Sequence, residues 1–147
     1  MAVKPIPEGY HSITPRLFVP DADALVEFLK RAFGAVERPR VGKGSPAEMV
    51  IGDSIVIVSP SGVRPALPAF LYLYVPDTDA AYREALRAGA KSLEAPANMH
   101  YGDRRAMIED PQGNTWQIAT HVEDVPPEEM KRRAEAAMKS EKATTNG

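Results

Sequence analysis

The chain has 147 residues, of which 44% are hydrophobic and 26% charged, as expected for a globular domain. Its formal net charge of −2 gives no basic surface for nucleic acid or an anionic membrane. The absence of cysteine excludes disulfides, thiolate nucleophiles and thiolate metal sites. No apolar run of about 20 residues is present, and the first residues, MAVKPIPEGYH, form no apolar signal core. We therefore expect a cytoplasmic protein with neither a membrane nor a nucleic-acid partner.

A segment near the N-terminus, VPDADALVEFLKRAFGA, is followed from Val75 by a similar segment, VPDTDAAYREALRAGA. In each copy an aspartate, Asp21 or Asp77, is placed to cap a helix, and Gly34 or Gly89 is placed to end it. Apolar residues at helical spacing predict one buried stripe on each helix. These stripes comprise Leu25, Phe28, Leu29 and Ala32 in the first helix, predicted over 22–33, and Ala81, Ala85, Leu86 and Ala88 in the second.

Short apolar segments predict strands around both helices. SITPRLFV and AFLYLYV precede them; AVERPR, AEMVIG and DSIVIVS follow the first helix, and KSLEAPAN, RRAMIED and NTWQIAT follow the second. IGDS and DPQGN are predicted turns between neighbouring strands. The pattern predicts an α+β fold of two tandem βαβββ modules, over about residues 10–60 and 68–121, joined by a linker at 61–67.

A third helix is predicted over about residues 125–142, within HVEDVPPEEMKRRAEAAMKSEK. Asp124 is its predicted cap, and a proline falls in the first turn. Glu128 and Glu129 lie at the end where the helix dipole is positive. We interpret the basic residues that follow as a solvated face.

The paired modules, together with AEMVIGDSIVIVS and EDPQGNTWQI, resemble the vicinal oxygen chelate superfamily over residues 10–134. That superfamily includes glyoxalase I, extradiol dioxygenases, fosfomycin-resistance proteins and bleomycin-binding proteins. YHSITPRLFVPDADALVEFLKRAFGA and YGDRRAMIEDPQGNTWQIATHVEDV, followed by PPEEMKRR, are most similar to its PhnB-like branch. The resemblance implies that two curled mixed sheets form a ligand-binding cup and that the protein is a homodimer.

Catalytic members of the superfamily hold a divalent metal on four strand positions, which the resemblance places at Thr14, Glu48, Phe70 and Gln117. Only Glu48 is a strong ligand there. Phe70 has no donor atom, and the hydroxyl of Thr14 and the neutral amide of Gln117 are weaker than a carboxylate. We therefore predict that the usual metal site is absent and that the protein has no cofactor.

The histidines show no metal-binding spacing. His11 precedes the first predicted strand, on the opposite face from Thr14, whereas His100 lies in a loop and His121 follows the last strand. We interpret them as surface or loop-anchoring residues. The sequence leaves open that two of them meet in space.

Strand alternation predicts which side chains line the cup. The predicted inward set comprises Thr14, Arg16, Phe18, Glu48, Phe70, Tyr72, Tyr74, Arg105, Met107, Glu109, Thr115, Gln117 and Ala119. The predicted core-facing set comprises Leu71, Leu73, Val75, Ala106, Ile108, Trp116 and Ile118. Arg16 either holds a ligand anion or, as we favour, neutralises Glu48. The aromatic rings either leave an open cavity or fill the cup themselves.

The loop MHYGDRR carries polar side chains on both sides of a glycine. One hypothesis is a lid that hinges at this Gly102, with His100 as a candidate acid or base. The other, which we favour, is that Asp103 and Arg104 pin the loop to the segment THVED, through Glu123 or Asp124.

Three functions remain open at this point. The first is a metal-free homodimer that binds an aromatic or amphipathic small molecule. Its predicted ligand-binding residues are Arg16, Glu48, Phe70, Tyr72, Tyr74, Tyr101 and Gln117. The second is a lyase, isomerase or dioxygenase-type enzyme in which Glu48 is a base or residual metal ligand, completed by His100 or a histidine of a second subunit. The third is a dimer with a structural or interaction role only.

Overall fold

The structure, a computed structural model, describes residues 3–42 and 44–146. Its elements in chain order are β1 (Arg16–Val19), α1 (Ala22–Phe33), β2 (Val36–Glu37), β3 (Ala47–Ile51), β4 (Ser54–Pro60), β5 (Phe70–Tyr74), α2 (Thr78–Arg87), β6 (Lys91–Asn98), β7 (Asp103–Glu109), β8 (Thr115–His121) and α3 (Pro127–Asn146). The predicted order of strand, helix and three strands is confirmed in both modules.

Each module forms a four-stranded mixed sheet with the same strand order. The first sheet runs β1-β4-β3-β2 and the second runs β5-β8-β7-β6. In both sheets the first strand pairs in parallel with the last, and the remaining pairs are antiparallel. A parallel pair needs a crossover, which α1 and α2 begin in their respective modules. The predicted α+β fold of two tandem modules with curled sheets is thereby confirmed.

The ends of α1 and α2 form as the repeated segment predicts. The carboxylate of Asp21 accepts a hydrogen bond from the amide of Ala24 at 3.0 Å, and that of Asp77 accepts one from the amide of Ala80 at 3.1 Å. α1 ends at Gly34, whose φ of 66° lies in the left-handed region that favours glycine. In both copies of the segment, the helix therefore begins with the same aspartate cap.

The predicted apolar stripe is correct on α1 and partly wrong on α2. All four predicted residues of α1 are buried, whereas on α2 Ala85 is buried, Ala81 and Ala88 are half-buried, and Leu86 is 36% exposed. Successive helical residues point about 100° apart, so with Ala85 at the centre of the stripe its neighbour Leu86 lies at the edge. Gly89 follows the helix at a φ of 107°, as predicted.

One hydrophobic core runs through both modules. It contains the inner faces of the two sheets and the facing sides of α1 and α2. Phe33, at the end of α1, contacts Trp116 of β8, with ring centroids 5.2 Å apart. Each sheet therefore turns one face to the shared core and leaves the other face outside it. Among the described residues, no helix is both long and apolar enough to cross a membrane.

The third helix begins later than the predicted start near residue 125. The amide of Met130 donates to the carbonyl of Pro126 at 2.8 Å, so the helical hydrogen bonds begin at Pro126. Asp124 lies outside the helix, and its predicted role as the cap is wrong. Its carboxylate instead lies 2.7 Å from Nε2 of His121.

Candidate functional site

The outer face of the second sheet carries the aromatic side chains that strand alternation placed in the cup. On β5, Phe70 and Tyr74 are 65% and 60% exposed, and the ring of Tyr72 lies 5.2 Å from that of Tyr74. Their register partners on this face are Thr115, Gln117 and Ala119 of β8 and, beyond them, Glu109, Met107 and Arg105 of β7. We call this surface the aromatic face. The rings of Phe70 and Tyr74 are largely exposed on it.

The predicted core-facing set is also confirmed. Trp116, Ile118, Ala106 and Ile108 are buried, and Leu71, Leu73 and Val75 are partly buried against the core. Because side chains alternate along a strand, their burial fixes the outward direction of the residues between them.

A buried carboxylate holds two tyrosine hydroxyls of the aromatic face. Asp103, the first residue of β7, is 2% exposed. Tyr72 and Tyr74 each donate a hydrogen bond of 2.7 Å to its Oδ2 atom. Burying a carboxylate without such donors would cost several kcal/mol, so these bonds are required to keep it in the sheet. They also fix the positions of both rings.

The hydrogen bonds around Tyr72 run in one direction. Its single hydroxyl proton goes to Asp103, because an ionised carboxylate only accepts. The hydroxyl of Tyr101, 2.9 Å away, must therefore donate to that of Tyr72, and it accepts from Nη1 of Arg105 at 3.1 Å. Arg105 also donates from Nη2 to Glu94 at 3.0 Å. Tyr101 thus joins the aromatic face, with its hydroxyl already engaged.

His121 binds the other oxygen of Asp103. Its Nδ1 lies 2.9 Å from Oδ1 of Asp103, and its Nε2 lies 2.7 Å from the exposed carboxylate of Asp124. Only the imidazolium form has a proton on both nitrogens, so this geometry favours protonated His121. The contact is not evident from the sequence, in which Asp103 is predicted to lie in the loop, whereas it is the first residue of β7. Alternation from Arg105 was the available signal, since it puts Asp103 on the aromatic face.

These contacts shift the pKa values of the groups involved. Hydrogen bonds to two carboxylates, first that of Asp103, raise the pKa of His121. Burial alone would raise the pKa of Asp103, but the hydrogen bonds from His121, Tyr72 and Tyr74 outweigh it, and the pKa is lowered. Burial raises the pKa of the Tyr72 phenol, and the hydrogen bond to Asp103 raises that of Tyr74. The carboxylate is therefore held ionised and both phenols are held neutral.

Arg104 pairs with Thr120 through the strand ladder, but its guanidinium does not bind Glu123 or Asp124. It forms a two-bond ion pair with Asp79 of α2, from Nε to Oδ2 at 2.6 Å and from Nη2 to Oδ1 at 2.9 Å. The predicted pairing of Arg104 with Glu123 or Asp124 is wrong. Arg104 follows Asp103 in the strand and so points to the opposite face of the sheet, towards the helix.

The backbone fixes the loop before β7. Gly102 is buried, has a φ of 100°, and a Cβ atom added there would lie 2.1 Å from the carbonyl oxygen of Glu123. Its own carbonyl accepts hydrogen bonds from the amides of Val122 and Glu123 at 2.9 and 3.1 Å. This arrangement supports a pinned loop and contradicts a hinge at Gly102. His100 is exposed, and its ring packs edge-on against Tyr101.

Arg16 and Glu48 lie on the outer face of the first sheet but do not pair with each other. Both are opposite Ile57 in register, so two strand spacings, about 10 Å, separate their backbones. Arg16 donates from Nε to the hydroxyl of Ser59 at 2.9 Å and lies 5.2 Å from the ring centroid of Phe18. The interpretation that Arg16 neutralises Glu48 is therefore wrong.

The four positions at which the resemblance places a metal do not fit one in this chain. Phe70 offers no donor, and Thr14 and Gln117 offer only weak neutral oxygens beside the carboxylate of Glu48. Within residues 3–42 and 44–146, no group of three or more histidine and carboxylate side chains is arranged to hold a metal ion. The donor set at these four positions therefore does not fit a divalent metal.

A groove of about 390 Å³ lies between the two modules. Its apolar lining consists of Ile13, Pro15, Ile51, Ile55, Val56, Leu71, Leu73 and Trp116. Its polar lining consists of His11, Thr14, Asp53, Ser54 and Tyr72. Tyr72 belongs to both the groove and the aromatic face, so the two surfaces meet at this residue. A mainly apolar concavity with few polar groups is typical of a small-molecule site.

Paired βαβββ modules around such a groove define a class of two-module proteins, and comparison with known families identifies it. A model described as the Glyoxalase/Bleomycin resistance protein/Dioxygenase superfamily matches residues 9–118. The chain belongs to this superfamily. The resemblance to the vicinal oxygen chelate proteins is thereby confirmed at the level of the superfamily.

Relatives and solved structures agree with this assignment. An uncharacterized protein of Mycobacterium bovis is 31% identical over 146 residues, covering 88% of this chain and 93% of that protein. TioX from Micromonospora sp. ML1 superposes with a TM-score of 0.66 at 23% identity, over 76% of this chain and 99% of its own. A gene product of Arabidopsis thaliana superposes with a TM-score of 0.62 at 26% identity, over 74% and 98%. The likeness to TioX shows the fold alone.

Proposed function

We propose that this protein binds an aromatic or amphipathic small molecule, without a metal, in the groove between its modules. The observation that carries the proposal is the groove itself, which has about 390 Å³ of space, an apolar lining and few polar groups. The poor donor set at the superfamily's metal positions supports binding without a metal.

Tyr72 is the central element of the proposed site. Its hydroxyl is held by Asp103, so its ring presents a rigid stacking surface that loses little freedom when a ligand binds. Phe70 and Tyr74 extend this surface along the aromatic face. Arg16 and Glu48 are proposed as further contacts on account of their outward position on the first sheet.

We also propose that the protein is a homodimer of the PhnB-like branch. Exposed apolar side chains on and near the aromatic face support a partner surface, since isolated proteins seldom leave large apolar patches uncovered. They include Phe70 and Tyr74 on the aromatic face and Ile13 in the groove that meets it. The branch is supported by the sequence stretches around both helices and the last strand.

An enzyme that acts through Glu48 has less support. Its neighbour in register is Ile57, which offers no proton-transfer partner. We therefore favour binding over catalysis.

Trp116 provides a direct test, because it is the chain's only tryptophan and lines the groove. The fluorescent dye 8-anilinonaphthalene-1-sulfonate is an amphipathic aromatic probe that accepts energy from tryptophan. We expect saturable, stoichiometric binding with energy transfer from Trp116. Thr14→Phe should weaken binding by placing a ring in the groove, whereas Val63→Phe adds the same ring at an exposed linker position and should have no effect.

Equal dye affinity in the Thr14→Phe and Val63→Phe variants, or binding without energy transfer, would contradict a ligand site in the groove. The structural or interaction reading of the protein would then be preferred.

A further inference from the structure

We propose that the ligand is a neutral planar ring carrying an N–H donor beside a carbonyl acceptor, recognised by the side-chain amide of Gln117. This inference rests on the proposed function, because it assigns ligand chemistry to the aromatic face, which meets the groove at Tyr72.

Gln117 lies in the middle of the aromatic face. In register it is flanked by Tyr72 of β5 and Met107 of β7. Its chain neighbours Trp116 and Ile118 are buried in the core, so the side chain of Gln117 points outward. It is half-buried, which keeps the amide close to the sheet.

The amide of Gln117 has no hydrogen-bond partner in the part of the chain that the structure describes. The hydroxyl of Tyr72 is engaged with Asp103 and Tyr101, and Met107 offers only a weak thioether acceptor. A ligand that covers this face removes water from the amide. Leaving the amide unpaired would then be unfavourable, so the ligand must supply both an acceptor and a donor.

The charges of the aromatic face are balanced. Asp103 lies against His121, which also contacts the exposed Asp124, Arg105 donates to Glu94, and Glu109 stands opposite Lys91 in register, so each cation of the face has a carboxylate beside it. An ionised ligand would lose its hydration on binding and would meet charges that already have opposite neighbours, although Nε of Arg105 is a buried donor without an acceptor among the described residues. The face therefore favours a neutral molecule.

The geometry of a primary amide favours a ligand with a hydrogen-bond donor and an acceptor side by side. Its carbonyl and NH2 groups lie side by side in one plane and pair with a complementary donor and acceptor, as glutamine does with adenine. The exposed rings of Phe70 and Tyr72 beside Gln117 favour a flat partner that stacks. A cyclic amide fused to an aromatic ring has all these features.

Two probe molecules, 2-quinolinone and coumarin, test the contribution of the ligand's N–H donor. In coumarin an oxygen atom replaces the ring N–H of 2-quinolinone, and the two molecules otherwise have the same shape. Dissociation constants from ligand-observed NMR titrations should show that the wild-type protein binds 2-quinolinone roughly tenfold more tightly than coumarin. In Gln117→Met the ratio of the coumarin dissociation constant to the 2-quinolinone dissociation constant should fall close to one, while coumarin binding is retained. Thr115→Val, on the same face in the next row, should keep the preference.

Equal binding of the two probes by the wild-type protein, or a preference that survives in Gln117→Met, would overturn the inference. Failure of 2-quinolinone to bind a protein that binds the dye in its groove would also overturn it and leave the proposed function standing. Failure of the dye test together with both probes would overturn both. If thermal unfolding shows that Gln117→Met is not folded, Gln117→Leu replaces it.

Discussion

The carboxylate of Asp103 lies 2.9 Å from Nδ1 of His121, and the first is buried whereas the second is half exposed. A surface imidazole with a raised pKa is thus in direct contact with an interior carboxylate. Because the same acid holds the hydroxyls of Tyr72 and Tyr74, the protonation of His121 is linked to the order of the aromatic face.

Replacing Asp103 by asparagine should destabilise the protein. An amide offers one acceptor oxygen to three donors and places its own NH2 group against one of them, which leaves buried polar groups unpaired. We expect the free energy of unfolding in urea to fall by about 2–3 kcal/mol. Asp124→Asn makes the same change at an exposed partner of His121 and should alter it by less than about 0.5 kcal/mol. Similar losses in both variants would show that burial does not decide the effect.

The free energy of unfolding should depend on pH through His121. Its pKa is raised in the folded protein, so its contribution is complete below its ordinary value of 6.5 and is lost as pH rises through the higher folded value. The pKa of Asp103 is lowered from 3.8, so its contribution is present above that value and is lost as pH falls through the lower folded value. Stability from this pair is therefore greatest between these two ordinary pKa values.

Urea unfolding of the wild-type protein and His121→Gln across pH 4–9 tests this dependence. The difference in the free energy of unfolding between the two proteins should become smaller as the pH rises above neutral. A constant difference across the whole range would contradict the link.

Gly102→Ala and Gly113→Ala should differ strongly in stability. Both glycines have positive φ, of 100° and 89°, so both variants lose about 1–2 kcal/mol to backbone strain. Only at Gly102 would the new Cβ atom meet backbone, 2.1 Å from the carbonyl of Glu123, whereas nothing lies within 4 Å at Gly113. In thermal and urea unfolding, the free energy of unfolding of Gly102→Ala should be at least about 2 kcal/mol lower than that of Gly113→Ala. Equal stabilities would mean that the segment after β8 moves aside at little cost.

Purified protein incubated with Zn(II), Ni(II), Mn(II) or Fe(II) and freed of excess metal should retain much less than one ion per chain. The physical reason is that Glu48 is the only strong donor among the four superfamily positions. Elemental analysis measures the retained metal. Stoichiometric binding that Glu48→Ala abolishes would refute metal-free binding and favour an enzyme.

Elements with local causes could be predicted from the amino-acid sequence. Asp21 and Asp77 bind amides three residues ahead, and Gly34 ends α1 through its own conformation. Alternation in β5 and β8 correctly separated Tyr72 and Gln117 from the buried Trp116, because a strand's period of two depends only on neighbouring residues. The repeat, the modules and the outward set of side chains follow from these patterns.

Contacts between residues far apart in the sequence depend on how the strands and helices pack. Asp103 binds His121 across 18 positions, Arg104 binds Asp79 across 25, and Arg16 binds Ser59 across 43. In each case the partner depends on strand order and register, and on which element covers each face of the sheet. Periodicity within one segment carries no information about these. The groove between the modules has the same origin, since it exists only where two separately formed sheets approach each other.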